Sequence, residues 1–227
     1  MSDPPQSHPA RAAAHGVSER DALQRAIIEG DLPAGGAVHE GSLASSLGTS
    51  RPRVRAALQE LAAIDLVRPG PDDACHVTPF EPHRLAQMVE VAAALSGTAA
   101  RLALPNLTPD DLGWLTQAEG HLFAFDAPVS GAHPYGPFEV DLFVVRSGND
   151  VLQESMGRLQ PHMLRLVRQF GRSLSQTGMA GRTGGALAAV RAGDAHLLGE
   201  SVRVFYQLVG MELVASVKGS LLDRTRA

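Results

Sequence analysis

Two short helices joined by a tight turn can be recognised in residues 38–67, and this stretch constrains the fold more than any other part of the chain. Leu43 and Leu47 stand at helical spacing, and Gly48 after them suits the left-handed end of a helix. Ser50 is a suitable N-cap for a second helix. Apolar residues then recur at the spacing of one buried helical face. They are Val54, Ala57, Leu58 and Leu61.

The opposite face of the second helix is small at its centre and basic at its sides. Such a face can enter a DNA major groove, where guanidinium groups reach phosphates or guanine edges. Arginines on one helix face are also common on an ordinary solvated surface, so the pattern alone leaves both interpretations open. The central residues are Pro52, Ala56 and Gln59, and the flanking residues are Arg51, Arg53 and Arg55.

The neighbouring segments favour DNA binding. A helical stripe begins after Ser18, whose spacing to Asp21 resembles a capping box, and it ends near Gly30. Beyond the basic helix, turn residues at 69–73 lead to an extended run at 75–78. Three helices followed by a small β wing form a winged helix-turn-helix, so the sequence predicts a DNA-binding domain over residues 17–80. The predicted DNA contacts on this helix face are Arg51, Arg53, Arg55 and Gln59.

The charge balance limits how this domain can bind. The chain has a net charge of −4, and residues 17–80 carry six arginines against nine carboxylates. The positive charge is therefore confined to one helix, so non-specific affinity for DNA should be weak and strongly dependent on salt. Specific binding then requires two copies of the domain, which predicts a homodimer.

Beyond residue 80 the sequence predicts helices only. Residues 1–16, rich in proline and alanine, are expected to be a disordered tail, and residues 81–227 an all-α bundle of six or seven helices. The whole chain is thus predicted to be mainly α, with β structure only in the wing. The expected helices span 82–103, about 109–125, 137–146, 150–170, 186–192 and 195–218.

Several classes of protein are disfavoured by the sequence. No apolar run is long enough to span a membrane, and the first residues lack the apolar core of a signal peptide. The single cysteine, Cys75, fits a reducing cytoplasm. The nucleophile, phosphate-loop, dinucleotide and metal-protease patterns of common enzymes are missing. We therefore expect a cytoplasmic protein that is not an enzyme and that needs no cofactor and no membrane.

Several segments carry a family resemblance. Residues 23–33, 43–51 and 54–61 carry the strongest part of it, and residues 147–149 and 190–194 add weaker matches. Together they resemble the GntR family of bacterial transcription regulators, in the branch with a fatty-acid-regulator-like C-terminal domain (the FCD type). The resemblance implies a homodimer on a short palindromic operator of double-stranded DNA. It also implies a small effector, usually an organic acid or sugar acid, in the helical bundle.

The chain departs from that family within the DNA-binding domain. The family's DNA contacts carry over to Ser50, Arg51 and Arg55, whereas Arg53 stands where the family commonly has proline. Relatives often have a basic residue and glycine at the wing tip, where residues 72–74 of this chain read Asp-Asp-Ala. Two carboxylates facing DNA would be repelled by its phosphates, so either the wing is unused or it lies away from the backbone.

The predicted helical bundle, residues 81–227, also departs from the family pattern. Many FCD domains hold a divalent metal with one aspartate and three histidines, but the corresponding positions here fall near Gly136, Val140, Thr183 and Phe205. We therefore predict that the bundle binds no metal. The arginine that the family places on the first bundle helix is replaced by Ala92, which removes one bidentate partner for a carboxylate effector.

Two hypotheses remain for the bundle. In the first, it binds an effector that modulates DNA binding; in the second, it only dimerises, without effector or metal. For each polar residue that could line an effector cavity, a role at the surface or in capping a helix is an equally good explanation. These residues are Asp141, Arg146, Asn149, His162, Arg165, Thr183, Arg203 and Tyr206.

Overall fold

The chain divides into two compact units. The computed structural model describes residues 18–70, 74–118, 139–171, 174 and 185–226. Unit 1 comprises Met1–Glu81 together with Leu164–Gln169, and unit 2 comprises Pro82–Met163 and Phe170–Ala227. The predicted tail at residues 1–16 and the tip of the wing lie outside the described residues. The contribution of residues 164–169 to unit 1 was not anticipated from the sequence.

Unit 1 begins with three helices whose ends follow from local sequence. Helix α1 spans Glu19–Glu29, and the backbone N–H of Asp21 donates to the Ser18 hydroxyl at 3.1 Å. Helix α2 spans Glu40–Leu47 and ends at Gly48, whose φ of 63° is in the left-handed region that favours glycine. Helix α3 spans Arg51–Ala63.

The start of α3 corrects one detail of the sequence analysis. Ser50 occupies the N-cap position, as expected, but its hydroxyl makes no capping hydrogen bond. Its carbonyl oxygen instead accepts from the backbone N–H groups of Arg53 and Val54, each at 3.1 Å. The hydroxyl of Ser50 therefore has no part in capping α3, and the residue is exposed beside the arginines.

A three-stranded antiparallel sheet completes unit 1. The strands are β1 (Ala37–Val38), β2 (Val67–Pro69) and β3 (Cys75–Val77), in the order β1-β3-β2. Strands β2 and β3 are the predicted wing, and β1 was not predicted because two residues carry no periodic signal. A shared apolar core joins the helices to the sheet. It includes Leu23, Ile27, Val38, Leu43, Val54, Leu58, Leu61, Leu66 and Val77.

The described residues of unit 2 form helices and the turns between them, with no strand. Its first helices are α4 (Pro82–Ala103), a short 3₁₀ turn (Leu104–Asn106), α5 (Pro109–Ala118) and α6 (Glu139–Arg146). Helix α7 (Asp150–Phe170), helix α8 (residues 185–192) and helix α9 (Ala195–Arg226) follow. The predicted end of α9, at residue 218, falls short of the observed one. The predicted extension of α5 to residue 125 lies outside the described residues. No helix in the described ranges is long and apolar enough to span a membrane.

Helices α4 and α9 cross at unusually short distance. A Cβ atom on Gly97 would lie 2.6 Å from the carbonyl oxygen of Gly199, and one on Gly199 would lie 2.8 Å from that of Gly97. The missing side chains therefore let the two backbones touch. Around this crossing the apolar core of unit 2 includes Ala99, Ala100, Ala103, Leu142, Phe143, Leu152, Met156, Leu198 and Val202.

The last turn of α7 belongs to unit 1. Gln169 donates from Nε2 to the carbonyl oxygens of Ile27 and Ile28 at 3.0 and 3.1 Å, at the end of α1. Arg165 is almost fully buried and donates from Nη1 to the carbonyl oxygen of Thr78 at 2.8 Å. Its guanidinium also lies 4.2 Å from the centre of the Phe80 ring. These contacts join α7 to both ends of the winged helix-turn-helix sequence.

Candidate nucleic-acid interface

Helix α3 has one buried and one exposed face. The side chains predicted to form the apolar stripe are all buried in the core of unit 1. The opposite face, with its three arginines and Gln59, is exposed. Small residues at the centre of that face, Pro52 and Ala56, leave the backbone of α3 accessible. The helix thus has the shape and the charges of a recognition helix that can lie in a major groove.

Arg55 is held by a carboxylate from α2. Its Nε and Nη2 donate to the two carboxylate oxygens of Glu40, at 2.9 and 2.8 Å. The Arg55 side chain remains 62% exposed in this pair. The hydrogen bonds from Arg55 are the main reason that the pKa of Glu40 lies below its usual value, and they raise the pKa of Arg55. Glu40 therefore stays ionised at neutral pH.

Arg53 is paired with a carboxylate from α1. Its Nε lies 3.0 Å from Oε1 of Glu19, and the same oxygen accepts a hydrogen bond from the hydroxyl of Thr49 at 2.8 Å. The Thr49 hydrogen bond is the largest cause of a lowered pKa at Glu19, and the charge of Arg53 lowers it further. Since Thr49 is in the turn before α3, this contact also ties the turn to the start of α1.

The side chain of Arg51 lies against Gly41 of α2, where there is no side chain in the way. A Cβ atom on Gly41 would be 3.2 Å from Nη2 of Arg51. In the described part of the chain, no carboxylate forms an ion pair with Arg51. The charge of Arg51 nevertheless contributes to lowering the pKa of Glu40. The basic face of α3 therefore combines one arginine outside any ion pair and two arginines that are each paired with a glutamate.

The two glutamates were missed in the sequence analysis. Glu19 and Glu40 were counted only as negative charges that lower the net charge of the domain. A usable signal existed, because each glutamate is the first residue of its helix. Helix starts of a helix-turn-helix lie close to the recognition helix, so acidic residues there can reach its arginines.

Comparison with known proteins agrees with this geometry. Residues 20–77 match the family described as bacterial regulatory proteins, gntR family. The matched residues fall within the winged helix-turn-helix of unit 1.

One curated relative matches a limited part of the chain. It is the probable D-xylose utilization operon transcriptional repressor of Paenarthrobacter nicotinovorans, 38% identical over 87 residues. The match covers 38% of this chain and 38% of that repressor. The chain therefore spans well under half of the length of the curated relative that it matches.

Solved structures resemble the chain over most of its length. E. coli McbR/YncC has a TM-score of 0.65 at 20% identity, and the match covers 91% of this chain and 96% of that one. A putative transcriptional regulator GntR from Rhodococcus sp. RHA1 has a TM-score of 0.64 at 13% identity, covering 86% of this chain and 95% of that one. At these identities the likeness concerns the fold. The mainly helical architecture with an N-terminal winged helix-turn-helix is thus confirmed.

Several residues predicted to bind an effector already have structural partners within the chain. Arg146 donates from Nε and Nη2 to the buried carboxylate of Asp111, at 2.8 and 3.2 Å. The side-chain oxygen of Asn149 accepts from the backbone N–H of Leu152 at 3.0 Å, at the start of α7. Arg203 pairs with Glu200 on the surface of α9, with 2.8 Å between Nη2 and Oε2.

The remaining effector candidates are distributed over both units. Asp141 and His162 are both buried in unit 2, with 4% of each residue exposed. Tyr206 packs edge-on against Phe205, and Arg165 belongs to unit 1. Thr183 lies outside the described residues. Within the described ranges no group of three or more histidine, cysteine or acidic side chains could hold a metal ion.

Proposed function

We propose that this chain acts as a homodimer that binds a palindromic operator through α3 of each subunit. The observation that carries the proposal is the exposed arginine face of α3, in a domain of the GntR family. One such helix offers few phosphate contacts, because two of its three arginines face carboxylates. Two copies on two half-sites supply the affinity that one copy lacks. Ser50, Arg51, Arg53, Arg55 and Gln59 are the proposed contacts.

An exposed apolar stripe on α9 supports a second copy of the chain as the partner. Its five side chains are each at least 42% exposed, and at about 100° per residue they fall on one face of the helix. The stripe runs for roughly 37 Å along the helix, and a groove of about 350 Å³ lies beside Val204 and Leu208. Exposed apolar surface of this length is typical of an interface. The stripe consists of Leu197, Val204, Leu208, Met211 and Leu222.

We propose that unit 2 is of the FCD type and binds a small organic effector. Buried Asp141 and His162 support this proposal, since polar side chains inside an apolar helical core are well suited to orient a small ligand. The D-xylose repressor among the relatives makes pentoses and sugar acids reasonable first compounds. A thermal-shift screen tests the proposal, because a compound that binds only the folded state raises the melting temperature.

A second candidate function is a dimer whose unit 2 only dimerises. The contacts of Arg146 with Asp111 and of Asn149 with Leu152 favour it, because these polar groups already have internal partners. A screen of sugars, organic acids and divalent metals that leaves the melting temperature unchanged would support this alternative.

Replacement of Arg55 tests the DNA-binding function. The probe is the duplex upstream of the chain's own gene, with affinity measured by fluorescence anisotropy. Arg55→Ala should weaken binding at least about tenfold, as expected for a lost bidentate or phosphate contact. Arg158→Ala is the matched control, since Arg158 is also exposed and paired with a glutamate, Glu154, but lies on α7.

The control should bind like the unchanged protein. Both variants should keep the melting temperature within a few degrees, because exposed ion pairs contribute little to stability. Equal affinity of Arg55→Ala and the unchanged protein would show that α3 is not the recognition helix.

A further inference from the structure

We propose that Glu19 and Glu40 determine DNA selectivity by restraining the arginines of the recognition helix. In this proposal the two carboxylates lower affinity for DNA without the operator sequence while leaving the operator contacts available. The inference rests on the proposed function, because it concerns the same face of α3. It adds two residues that do not themselves contact bases.

The geometry of the Arg55 pair leaves half of its guanidinium available. Glu40 takes the side edge, formed by Nε and Nη2. A guanidinium carries five N–H groups, so both hydrogens of Nη1 and one of Nη2 remain. One hydrogen of Nη1 and the remaining hydrogen of Nη2 form the terminal fork that arginine uses for bidentate contact with the O6 and N7 atoms of guanine. Glu40 can therefore hold Arg55 in a fixed direction while its tip contacts a base.

Contact with a phosphate is affected differently. Non-specific binding depends on phosphate charge rather than on a fixed direction of the side chain. At Arg55 and Arg53 the guanidinium charge is already offset by Glu40 and Glu19, at 2.8 and 3.0 Å. A phosphate must then either displace the carboxylate or approach close to it. Both routes lower the affinity gained from phosphate contact, whatever the DNA sequence.

The Glu19 pair has a second anchor that keeps its carboxylate in place. Thr49 donates to the same oxygen that faces Arg53, at 2.8 Å, and the Glu19 side chain is only 20% exposed. The carboxylate therefore cannot simply swing into solvent when DNA approaches. The lowered pKa values of Glu19 and Glu40 keep both carboxylates ionised at neutral pH.

The test compares two duplexes in one titration series. One duplex is selected from a random pool by the unchanged protein, and the other is its scrambled version. Glu40→Gln and the double variant Glu19→Gln with Glu40→Gln are measured by anisotropy over a range of salt concentrations. Glu154→Gln is the control, because it removes the same charge from an exposed glutamate–arginine pair on α7.

The variants should bind the scrambled duplex more tightly. We expect a gain of about fivefold for Glu40→Gln and more for the double variant, with a salt dependence that is steeper by about one unit. Affinity for the selected duplex should change by less than about twofold, so the ratio of the two affinities falls. Glu154→Gln should match the unchanged protein on both duplexes.

Two results would overturn the inference, and they differ in what else they imply. If the unchanged protein discriminates between the duplexes but Glu40→Gln and the double variant match Glu154→Gln, the carboxylates have no role in selectivity and the proposed function survives. If the unchanged protein and all variants bind no duplex even at low salt, both the inference and the proposed function are wrong.

Discussion

At the scale of single residues, the most informative pairs are carboxylate and guanidinium groups that look alike in sequence but differ in burial. The Arg55–Glu40 pair is exposed, so it contributes little to stability and is available for binding. The Arg146–Asp111 pair has a carboxylate that is only 4% exposed. Arg146 was predicted to line an effector site, but the geometry of its pair fits a structural role, because Asp111 also accepts from the backbone N–H of Thr108 at 2.8 Å.

Asp111→Ala should destabilise the protein by about 2–3 kcal/mol. Removing the carboxylate deletes the two hydrogen bonds that the partly buried guanidinium of Arg146 donates to it, and it also deletes a helix cap at the start of α5. Denaturant unfolding at neutral pH measures the loss. Asp110→Ala, which removes a neighbouring exposed carboxylate in the same turn, should cost less than about 1 kcal/mol. Equal losses for the two variants would contradict the structural role of Asp111.

The same carboxylate should make stability depend on pH. Burial raises the pKa of Asp111, but the hydrogen bonds from Arg146 and Thr108 outweigh burial and hold the pKa below its usual value. A depressed pKa stabilises the fold above the pKa of the unfolded chain, about 3.9, and this contribution is lost as the pH falls through the folded value. The stability difference between the unchanged protein and Asp111→Ala should therefore shrink below about pH 4.

At the scale of helices and strands, the sequence predicted most of what has a repeating pattern. The helices at 82–103 and 150–170 were predicted with the observed ends, because their apolar spacing and their terminal residues agree. Strand β1 and the true end of α9 were missed, since two residues have no period and the last turns of α9 have no stop signal. The pairing of Glu19 with Arg53 was also missed, because it depends on how α1 packs against α3.

Gly97→Ala should destabilise unit 2 by about 1–3 kcal/mol. The added Cβ would lie 2.6 Å from a backbone oxygen of α9, and neither backbone can move aside without separating α4 from α9. Helix propensity alone predicts the opposite change in stability, because it favours alanine over glycine by about 0.5–1 kcal/mol. Thermal unfolding measures the change.

Gly219→Ala is the matched control for this prediction. Gly219 is on α9, and a Cβ atom there would meet no other atom within 4 Å. Helix propensity then acts alone, and stability should stay the same or rise slightly. A melting temperature for Gly97→Ala at or above that of Gly219→Ala would show that the close helix crossing does not exist in solution.

At the scale of the whole molecule, the sequence could not distinguish the two apolar faces of α9. Val202, Val209 and Leu213 are buried in unit 2, whereas Val204, Leu208 and Met211 are exposed. When a helix is apolar on most sides, its sequence pattern is the same whether the second apolar face packs in the core or against a partner subunit. The family resemblance predicted a dimer, but the surface that would form it emerged only from the fold.

In the proposed dimer, Leu208→Glu should favour the monomer, because the interface would bury a charge in the middle of the stripe without a partner. Sedimentation equilibrium gives the mass, and operator affinity should fall together with dimer content. Val151→Glu is the control, since Val151 is also an exposed apolar residue, 74% accessible, but lies on α7. An unchanged mass for Leu208→Glu would exclude the stripe as the dimer interface.

The contacts of the last turn of α7 bear on where this protein can be truncated. A fragment that stops at Glu81 contains the whole winged helix-turn-helix sequence but lacks Gln169 and Arg165. The carbonyl oxygens of Ile27, Ile28 and Thr78 would then lose their side-chain donors. Unit 1 is therefore discontinuous along the chain, and a boundary drawn from the family match alone would leave it incomplete.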